Sequence, residues 1–453
     1  MPTPEAQFSG LARKAQSEAR LPSLSAAVFR GGELVWSEAI GLADVEGDRE
    51  TTPDTQYGIA SITKTFVAAS IMQLREAGEL GLDDPLSRHL PGAAHGALTV
   101  RRLLAHVSGL QRETPGEVWE ELVFPTREEL WSRLEEAELV LGPGERWHYS
   151  NLAYVLLGEV VSQRAGVEVA EHISQRLRQP LGLTRTSWHP QEPSALPYFV
   201  QPYSDAVRRE QQLDQQGTSA AGGLWSTTGD LARWASFLAE TDPKLLSPES
   251  VEAMRSVQTM AAPDWTLGWG LGLELFRRGE RIFIGHTGGL PGYLSILLVS
   301  PKDKIGAVAL TNSTSWPALE DFGLELATTA VEELAVPEPW RPGAPPAEEL
   351  APLLGRWWSE GSEYVFAVRR DRLEAKSASG EGRPSVFEPD GPDRFRTVSG
   401  PEHGELLRVV RDESGAPVKL YWATYPFLRT PELFGASAAQ RSPASKNQTT
   451  KPT

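Results

Sequence analysis

The sequence contains no cysteine, so disulfide bonds, thiolate metal sites and a cysteine nucleophile are excluded together. It also has no run of about 18 uncharged apolar residues of the kind that spans a membrane. Its start, MPTPEAQFSGLARKAQSEARLP, lacks the apolar segment of a signal peptide. These absences predict a cytoplasmic protein with no membrane partner, although a signal sequence that had been removed would leave the same start.

Positive charge is also scarce. Lys and Arg total 44 against 60 Asp and Glu, a formal net charge of −16, which opposes binding to phosphate backbones. The eight histidines show no His-x-x-x-His or His-Glu-x-x-His spacing that would assemble a zinc site. No Gly-x-x-x-x-Gly-Lys or Gly-x-Gly-x-x-Gly motif follows a predicted strand. The sequence therefore predicts no nucleic-acid partner, no metal and no cofactor.

With 453 residues, the chain is longer than one hydrophobic core usually holds. Hydrophobic residues make up 40% and charged residues 23%, which is the balance of a globular enzyme. A proline-rich segment over 337–352 is typical of a linker. We therefore expect a large domain over 1–336, a small all-β barrel domain over 353–435, and a polar, disordered tail over 436–453.

Within the large domain, the patterns alternate between strand and helix. A helix is predicted near 4–19, and apolar and polar residues then alternate around Gly31-Gly32 as in a two-stranded hairpin. Helical patterns dominate from about 85 to 240, and residues 281–312 contain three β-rich runs that predict an antiparallel meander. We expect an α+β fold, with an antiparallel sheet flanked by helices and an inserted all-helical subdomain over about 85–240.

The chain has one Ser-x-x-Lys motif, Ser61-Ile62-Thr63-Lys64. Helical spacing runs from Ser61 to about Gly78, so the hydroxyl and the amine lie one turn apart on one face. A partly buried amine has a lowered pKa and can help to deprotonate the serine, and the Ser61 N–H can form half of an oxyanion hole. The alternative is a serine helix cap with a solvated lysine in the next turn.

A second motif, Tyr149-Ser150-Asn151, follows a turn and opens an apolar helix. A phenol can exchange a proton with a serine if a nearby ammonium lowers its pKa, and an amide can hold both Lys64 and a substrate carbonyl. The alternative is a packed tyrosine beside an asparagine that caps the helix.

The third motif, His286-Thr287-Gly288-Gly289, ends a predicted strand before GLPGY turns into the next. Paired glycines let a backbone approach a ligand closely, so the Gly289 N–H is a candidate for the second half of an oxyanion hole. The alternative is a plain hairpin turn.

Taken in order, these motifs and the segments around them resemble the class C serine β-lactamases and the DD-peptidases, esterases and D-aminopeptidases of the same fold. The resemblance covers about residues 20–335, and the C-terminal domain looks like the lipocalin-like β-barrel that some members append. The supporting segments are LLAHVSGL (103–110), GPGERWHYSNLAYVLLGEV (142–160), PLGLTRTSW (180–188), AAGGLWSTTGDLARW (220–234) and GWGLGLEL (268–275).

This resemblance implies a role for each motif residue. Ser61 would be the nucleophile, Lys64 its activating partner and Tyr149 the proton shuttle. Asn151 would orient the substrate, and Gly289 would take the second oxyanion position. The implied reaction is hydrolysis through an acyl-enzyme, without a cofactor.

The sequence departs from the family at His286, where β-lactamases and peptidases usually carry lysine. A histidine with an ordinary pKa of about 6.5 is mostly neutral at pH 7. This site therefore lacks the lysine ammonium that would bind a substrate carboxylate. We still expect His286, Thr287 and Gly288 to contact the substrate.

The change at this position favours a small ester or amide as substrate. A carboxylesterase is preferred over a D-amino-acid amidase or peptidase, and a β-lactamase comes third. A catalytically silent penicillin-binding-like scaffold is the alternative of a different class. The oligomeric state stays open.

Overall fold

The computed structural model describes residues 2–336, 339–380 and 382–434, and the chain forms two compact units that divide after Val336. Residues 337–338 of the predicted linker and the whole predicted tail, 436–453, lie outside the described residues. Within the described ranges, no helix is both long enough and apolar enough to cross a membrane.

The first unit is built on a nine-stranded antiparallel sheet with the order β3-β2-β1-β13-β12-β11-β10-β9-β8. The N-terminal strand β1 pairs with the late strand β13, from Leu24 opposite Thr311 to Arg30 opposite Ile305. The sheet is therefore completed only when the chain returns to it after the inserted region. Its strands are β1 (Ser23–Arg30), β2 (Glu33–Asp44), β3 (Arg49–Glu50), β8 (Thr259–Met260), β9 (Leu267–Trp269), β10 (Glu274–Arg278), β11 (Arg281–Leu290), β12 (Tyr293–Ser300) and β13 (Ile305–Thr311).

Both faces of this sheet are covered. Leu24, Ala26 and Val28 of β1 belong to a cluster with residues of α1 (Pro4–Glu18) and α11 (Leu319–Leu334), the helices on one side. Phe29 belongs to a second cluster with residues of α2 (Thr63–Glu76), α7 (Asn151–Ala165) and α9 (Thr228–Ala239). Because successive side chains of a strand point to opposite faces, the nearly continuous apolar run of β1 fills two cores.

The inserted region lies between β4 (Tyr57–Gly58) and α9 and is mainly helical. Its helices α2 and α7 pack on each other and are buried around most of their circumference, and polar residues of α2 such as Lys64 are buried with the apolar ones. Ser150 caps α7 by accepting a hydrogen bond from the Ala153 N–H. The remaining elements of the insertion are α3 (Leu86–His89), α4 (Val100–Leu104), α5 (Val118–Glu121), α6 (Arg127–Arg133), α8 (Val169–Ile173), β5 (Tyr198–Val200), β6 (Val207–Arg209) and β7 (Trp225–Ser226), and α10 (Pro248–Arg255) follows α9.

The second unit is an eight-stranded antiparallel meander, with its strands in sequence order from β14 to β21. Two backbone hydrogen bonds of 2.8 and 2.9 Å join Trp358 to Leu428, so the first and last strands meet and the barrel nearly closes. Trp357, Phe366 and Trp422 are among the buried residues of its core. The strands are β14 (Gly355–Ser359), β15 (Ser362–Arg369), β16 (Arg372–Ser377), β17 (Ser385–Pro389), β18 (Arg394–Ser399), β19 (Leu406–Arg411), β20 (Pro417–Trp422) and β21 (Tyr425–Phe427). The predicted α+β fold with a terminal all-β barrel is confirmed.

Candidate active site

Ser61 lies in a single 3₁₀ turn, Ala60–Ile62, that leads directly into α2. Ala60 has φ = 48°, a left-handed conformation that costs a residue with a side chain about 1–2 kcal/mol. Ser61 is partly exposed, whereas Ile62 and Thr63 after it are buried. The turn therefore presents the serine hydroxyl to a cavity at the start of the helix.

Lys64 is fully buried, and its Nζ contacts three oxygens. These are Ser61 Oγ at 3.0 Å, Asn151 Oδ1 at 2.8 Å and the Ala221 carbonyl at 2.6 Å. The amide oxygen and the carbonyl only accept hydrogen bonds. A neutral amine thus donates its two N–H groups to them and directs its lone pair at the Ser61 hydroxyl.

Burial lowers the pKa of Lys64 to about 7, because the charged ammonium loses its hydration. Glu113 opposes this shift and Arg112 reinforces it. At neutral pH a large fraction of the amine is therefore unprotonated and able to accept the serine proton.

Asn151 links Lys64 to a carboxylate that the sequence motifs do not include. While its Oδ1 accepts from Lys64, its Nδ2 donates to Glu113 Oε1 at 2.7 Å. Burial raises the pKa of Glu113 against the effect of this hydrogen bond. Glu113 lines the same small cavity as Ser61, so an acidic group lies in the wall of that cavity.

Tyr149 lies in the loop just before α7, with its ring close to Lys64. The distance from Lys64 Nζ to the ring centroid is 5.0 Å, and the His106 ring stacks on Tyr149 with centroids 4.3 Å apart. Burial raises the pKa of Tyr149 well above its usual range, and a hydrogen bond with Ser61 offsets only part of that rise. The condition that an ammonium group lowers this pKa is not met, because desolvation outweighs the Ser61 hydrogen bond and the charge of Arg112. Tyr149 is therefore a neutral phenol that can donate a proton.

The third motif lies in strand β11, and its backbone faces the serine turn. Thr287 lies opposite Ile296 of β12, but its N–H points away from that strand and donates to Glu274 Oε2 at 3.0 Å. Amide directions alternate along a strand, so the Gly289 N–H, two residues on, points to the same side. Gly289 and Ser61 line one cavity of about 40 Å³, which brings both candidate oxyanion donors together.

Gly288 explains how closely β11 approaches the serine turn. A Cβ atom at this position would lie 2.3 Å from the Ile59 carbonyl oxygen and 2.3 Å from Ser295 Oγ. Ser295 itself donates to the Ile59 carbonyl at 2.9 Å. Only glycine allows this approach, so Gly288 sets the distance between the strand and the segment that carries Ser61.

His286 lies deeper than the other residues of its motif. It is 1% exposed, and its Nδ1 lies 2.5 Å from the Thr287 carbonyl oxygen, so Nδ1 carries the proton. Burial lowers the pKa of His286 to about 3, with help from the charge of Lys64. The structure thus places a neutral imidazole inside the wall, where it gives a substrate carboxylate no positive charge.

Three further residues belong to the site but were missed from the sequence. Glu274 is buried and accepts from both the N–H and the Oγ1 of Thr287, and burial raises its pKa to about 8. His106 is fully buried and accepts from the Ser150 N–H at 3.0 Å. Both lie in segments that resemble the family, which is the signal that could have found them. Glu113 follows such a segment by three residues and carries no signal of its own.

The geometry brings Ser61, Lys64, Tyr149 and Asn151 together beside the backbone of β11. The first unit also matches a family model described as beta-lactamase over residues 8–330. The chain belongs to the beta-lactamase family. Members of this family related to the chain are serine hydrolases. The second unit matches a domain of unknown function, DUF7586, over residues 346–429. Among the described residues, no group of three His, Asp or Glu side chains is placed to hold a metal ion.

Individual relatives are distant. Protein Flp of Staphylococcus aureus is 26% identical over 312 residues, covering 65% of this chain and only 60% of Flp. The D-alanyl-D-alanine-carboxypeptidase/endopeptidase AmpH of Escherichia coli is 29% identical over 281 residues, covering 57% of this chain and 72% of AmpH. Among solved structures, a D-stereospecific amidohydrolase from Streptomyces sp. is 26% identical with a TM-score of 0.62, covering 71% of this chain and 98% of that one.

Proposed function

We propose that this protein hydrolyses small esters and amides through an acyl-enzyme on Ser61, with carboxylic esters as the preferred substrates. The observation that carries the proposal is the environment of Lys64. Its Nζ lies 3.0 Å from Ser61 Oγ while two fixed acceptors occupy its N–H groups. This arrangement holds a general base against a nucleophile.

In the acylation step, the neutral Lys64 amine takes the Ser61 proton as Oγ bonds to the substrate carbonyl carbon. The negative charge that develops on the carbonyl oxygen is stabilised by the N–H groups of Ser61 and Gly289. The bond to the leaving alcohol or amine then breaks as the Tyr149 phenol donates its proton, and the Lys64 ammonium restores the proton of Tyr149. In deacylation, water attacks the acyl carbon and gives a proton to Lys64, and the acid departs as Ser61 regains its hydrogen.

The preference among substrates follows from charge. His286 is neutral and buried, whereas a lysine at this position would bind a substrate carboxylate. Glu113 at the cavity repels a carboxylate as well. Substrates without a carboxylate near the scissile bond are therefore favoured, which ranks esters and simple amides above β-lactams.

Glu113 also supports a second candidate, an amidase for amino-acid amides. A carboxylate in the serine cavity can pair with the free ammonium group of such a substrate. The similar Streptomyces structure is named a D-stereospecific amidohydrolase, and the identity of 26% leaves that activity a candidate for this chain.

The test compares p-nitrophenyl butyrate, a D-alanine p-nitroanilide and nitrocefin with the wild type and with Ser61→Ala. We expect the butyrate ester to be hydrolysed fastest, nitrocefin slowest, and all turnover to be lost in the variant. Equal rates with Ser61→Ala would refute the acyl-enzyme. If the wild type turns over none of these substrates, and Ser61→Ala binds ligand as tightly as the wild type does, a binding or scaffold protein is supported instead.

A further inference from the structure

Arg112 is a charged residue of the site that the mechanism above does not use. Its guanidinium carbon lies 4.8 Å from the centroid of the Tyr149 ring, which is within the range of a cation–π contact. The Arg112 side chain is 61% exposed, so the guanidinium reaches the ring from the solvent side. The proton donor of the proposed reaction therefore has a cation beside it.

The backbone around Arg112 fixes the point from which this side chain extends. The Arg112 carbonyl accepts a hydrogen bond from the Asn151 N–H at 2.7 Å. The carbonyl of the preceding residue, Gln111, accepts from Ser150 Oγ at 2.7 Å. Two hydrogen bonds thus tie this segment to the start of α7, which directly follows Tyr149 in the chain. The guanidinium is therefore held near the phenol ring before any substrate binds.

The groups around Tyr149 act on its pKa in opposite directions. Burial has the largest influence and raises this pKa well above its usual range. The hydrogen bond with Ser61 and the charge of Arg112 lower it, whereas the charges of Glu274 and Glu113 raise it. The effect of Arg112 exceeds that of Glu113, although these two side chains approach to 3.5 Å. Arg112 thus favours the phenolate form against the effect of two carboxylates.

Protonation of the leaving group makes Tyr149 an anion for part of the reaction. As the bond between the acyl carbon and the leaving oxygen breaks, its electron pair stays on that oxygen, which takes the Tyr149 proton. The phenolate is neutralised when the Lys64 ammonium gives it a proton, and the amine is then uncharged. A guanidinium, in contrast, keeps its charge throughout. Arg112 is therefore a cation that stays beside the phenol during the whole proton transfer.

We propose that Arg112 is a positioning residue that acts through Tyr149: its charge stabilises the phenolate and so helps Tyr149 to protonate strongly basic leaving groups. This role rests on the proposed function of Ser61 and Tyr149. An alkoxide needs a proton in order to depart, whereas p-nitrophenolate needs one far less. Loss of the Arg112 charge should therefore slow the hydrolysis of alkyl esters much more than that of p-nitrophenyl esters.

The test keeps the acyl group constant and varies the leaving group. The ratio of kcat/KM for ethyl butyrate to that for p-nitrophenyl butyrate is measured at pH 8.5, where most of the Lys64 amine is unprotonated. We expect Arg112→Gln to lower this ratio about 5- to 20-fold, while p-nitrophenyl butyrate hydrolysis changes less than about twofold. Arg112→Lys keeps a positive charge on the same backbone position and should retain most of the ratio.

Arg146 provides a matched control. It is an exposed arginine three residues before Tyr149, and its guanidinium approaches Glu145 to 3.4 Å. Arg146→Gln removes the same charge from the same neighbourhood of the chain, so it should leave the ratio unchanged. A loss in Arg146→Gln as large as that in Arg112→Gln would show a general effect of net charge and would overturn the proposal.

A double-mutant cycle tests whether Arg112 acts through Tyr149. Tyr149→Phe forms no phenolate, so the further substitution Arg112→Gln should not lower the ratio again. An equal loss with and without the phenol would overturn the proposal, because Arg112 would then act on the substrate directly. An unchanged ratio in Arg112→Gln with Tyr149 present would overturn it as well.

A titration without substrate separates this inference from the proposed function. Tyr149 is replaced by a trifluorotyrosine, whose lower intrinsic pKa brings its titration to milder pH and whose phenolate is followed by its absorbance. We expect Arg112→Gln to raise the measured pKa and Arg112→Lys to raise it less. This result supports the role of Arg112 even if the protein hydrolyses no ester. Equal pKa values with arginine, lysine and glutamine at position 112 refute the role even if Ser61 proves to be the nucleophile.

Discussion

Acidification should stop hydrolysis by protonating Lys64. The pKa of this buried amine is about 7, and only the neutral form accepts the Ser61 proton. Below that pH, the neutral fraction falls tenfold for each further pH unit, so kcat/KM at pH 5 should be about 1% of its plateau. The assay follows p-nitrophenyl acetate from pH 4.5 to 8 at the isosbestic wavelength of nitrophenol.

The acid limb of the pH profile is the fall in kcat/KM below about pH 7. Substitution of two charged neighbours of Lys64 tests whether this limb reports the titration of Lys64. Glu113 raises the pKa of Lys64 and Arg112 lowers it. Glu113→Gln keeps an acceptor for Asn151 but removes the negative charge, so the limb should move to lower pH. Arg112→Gln removes the positive charge, so the limb should move to higher pH. The two substitutions alter adjacent residues, which makes each a control for the other.

An acid limb whose apparent pKa stays unchanged in both variants, or shifts in the same direction in both, would refute this assignment. Titration of His286 or His106 does not explain such a limb, because burial lowers the pKa of His286 to about 3 and lowers that of His106 well below its usual value. Loss of the limb in Lys64→Ala, with folding checked by circular dichroism, completes the test.

Three other outcomes follow from the site. Tyr149→Phe should lower kcat about 100- to 1,000-fold and leave the acid limb in place, as steady-state rates across pH will show. Glu274 has a pKa of about 8, so the folded state holds a proton that the unfolded state loses above about pH 4.5. Wild-type stability should therefore fall from pH 5 to 8, and Glu274→Gln should be more stable by about 4 kcal/mol at pH 8 in urea unfolding, with no such gain at pH 4. Gly288→Ala places a Cβ 2.3 Å from backbone and should abolish activity, whereas Gly289→Ala meets only a leucine methyl at 3.3 Å and should retain most of it.

The parts of the fold that could be predicted are those with a local pattern. The helix over 4–19, the hairpin at Gly31-Gly32 and the meander over 281–312 each have a periodicity or a turn signal, and each is present. The pairing of β1 with β13 follows only from the whole order of elements, because the two strands are about 280 residues apart in the chain.

The site residues that could be predicted are those that belong to short sequence motifs. Ser61, Lys64 and Asn151 come together as expected, because helix geometry fixes the first pair and the start of α7 supplies the third. The rise in the Tyr149 pKa was not predicted, since burial depends on rings such as His106 that are distant in sequence. Short motifs name the candidate reacting groups, but packing sets their protonation.

The surroundings of Lys64 show why a neutral amine can persist beside a carboxylate. Arg112 and Glu113 approach to 3.5 Å and act on the Lys64 pKa in opposite directions, so desolvation is left as the largest influence. A lysine in place of His286 would add a permanent cation to the same wall, and it would attract substrate carboxylates into the site. With histidine buried there, no such cation is added, and the nearby Arg112 already forms an ion pair with Glu113 at 3.5 Å. On the proposed mechanism, the exchange at one strand position therefore leaves base catalysis by Lys64 intact while it removes the attraction for anionic substrates.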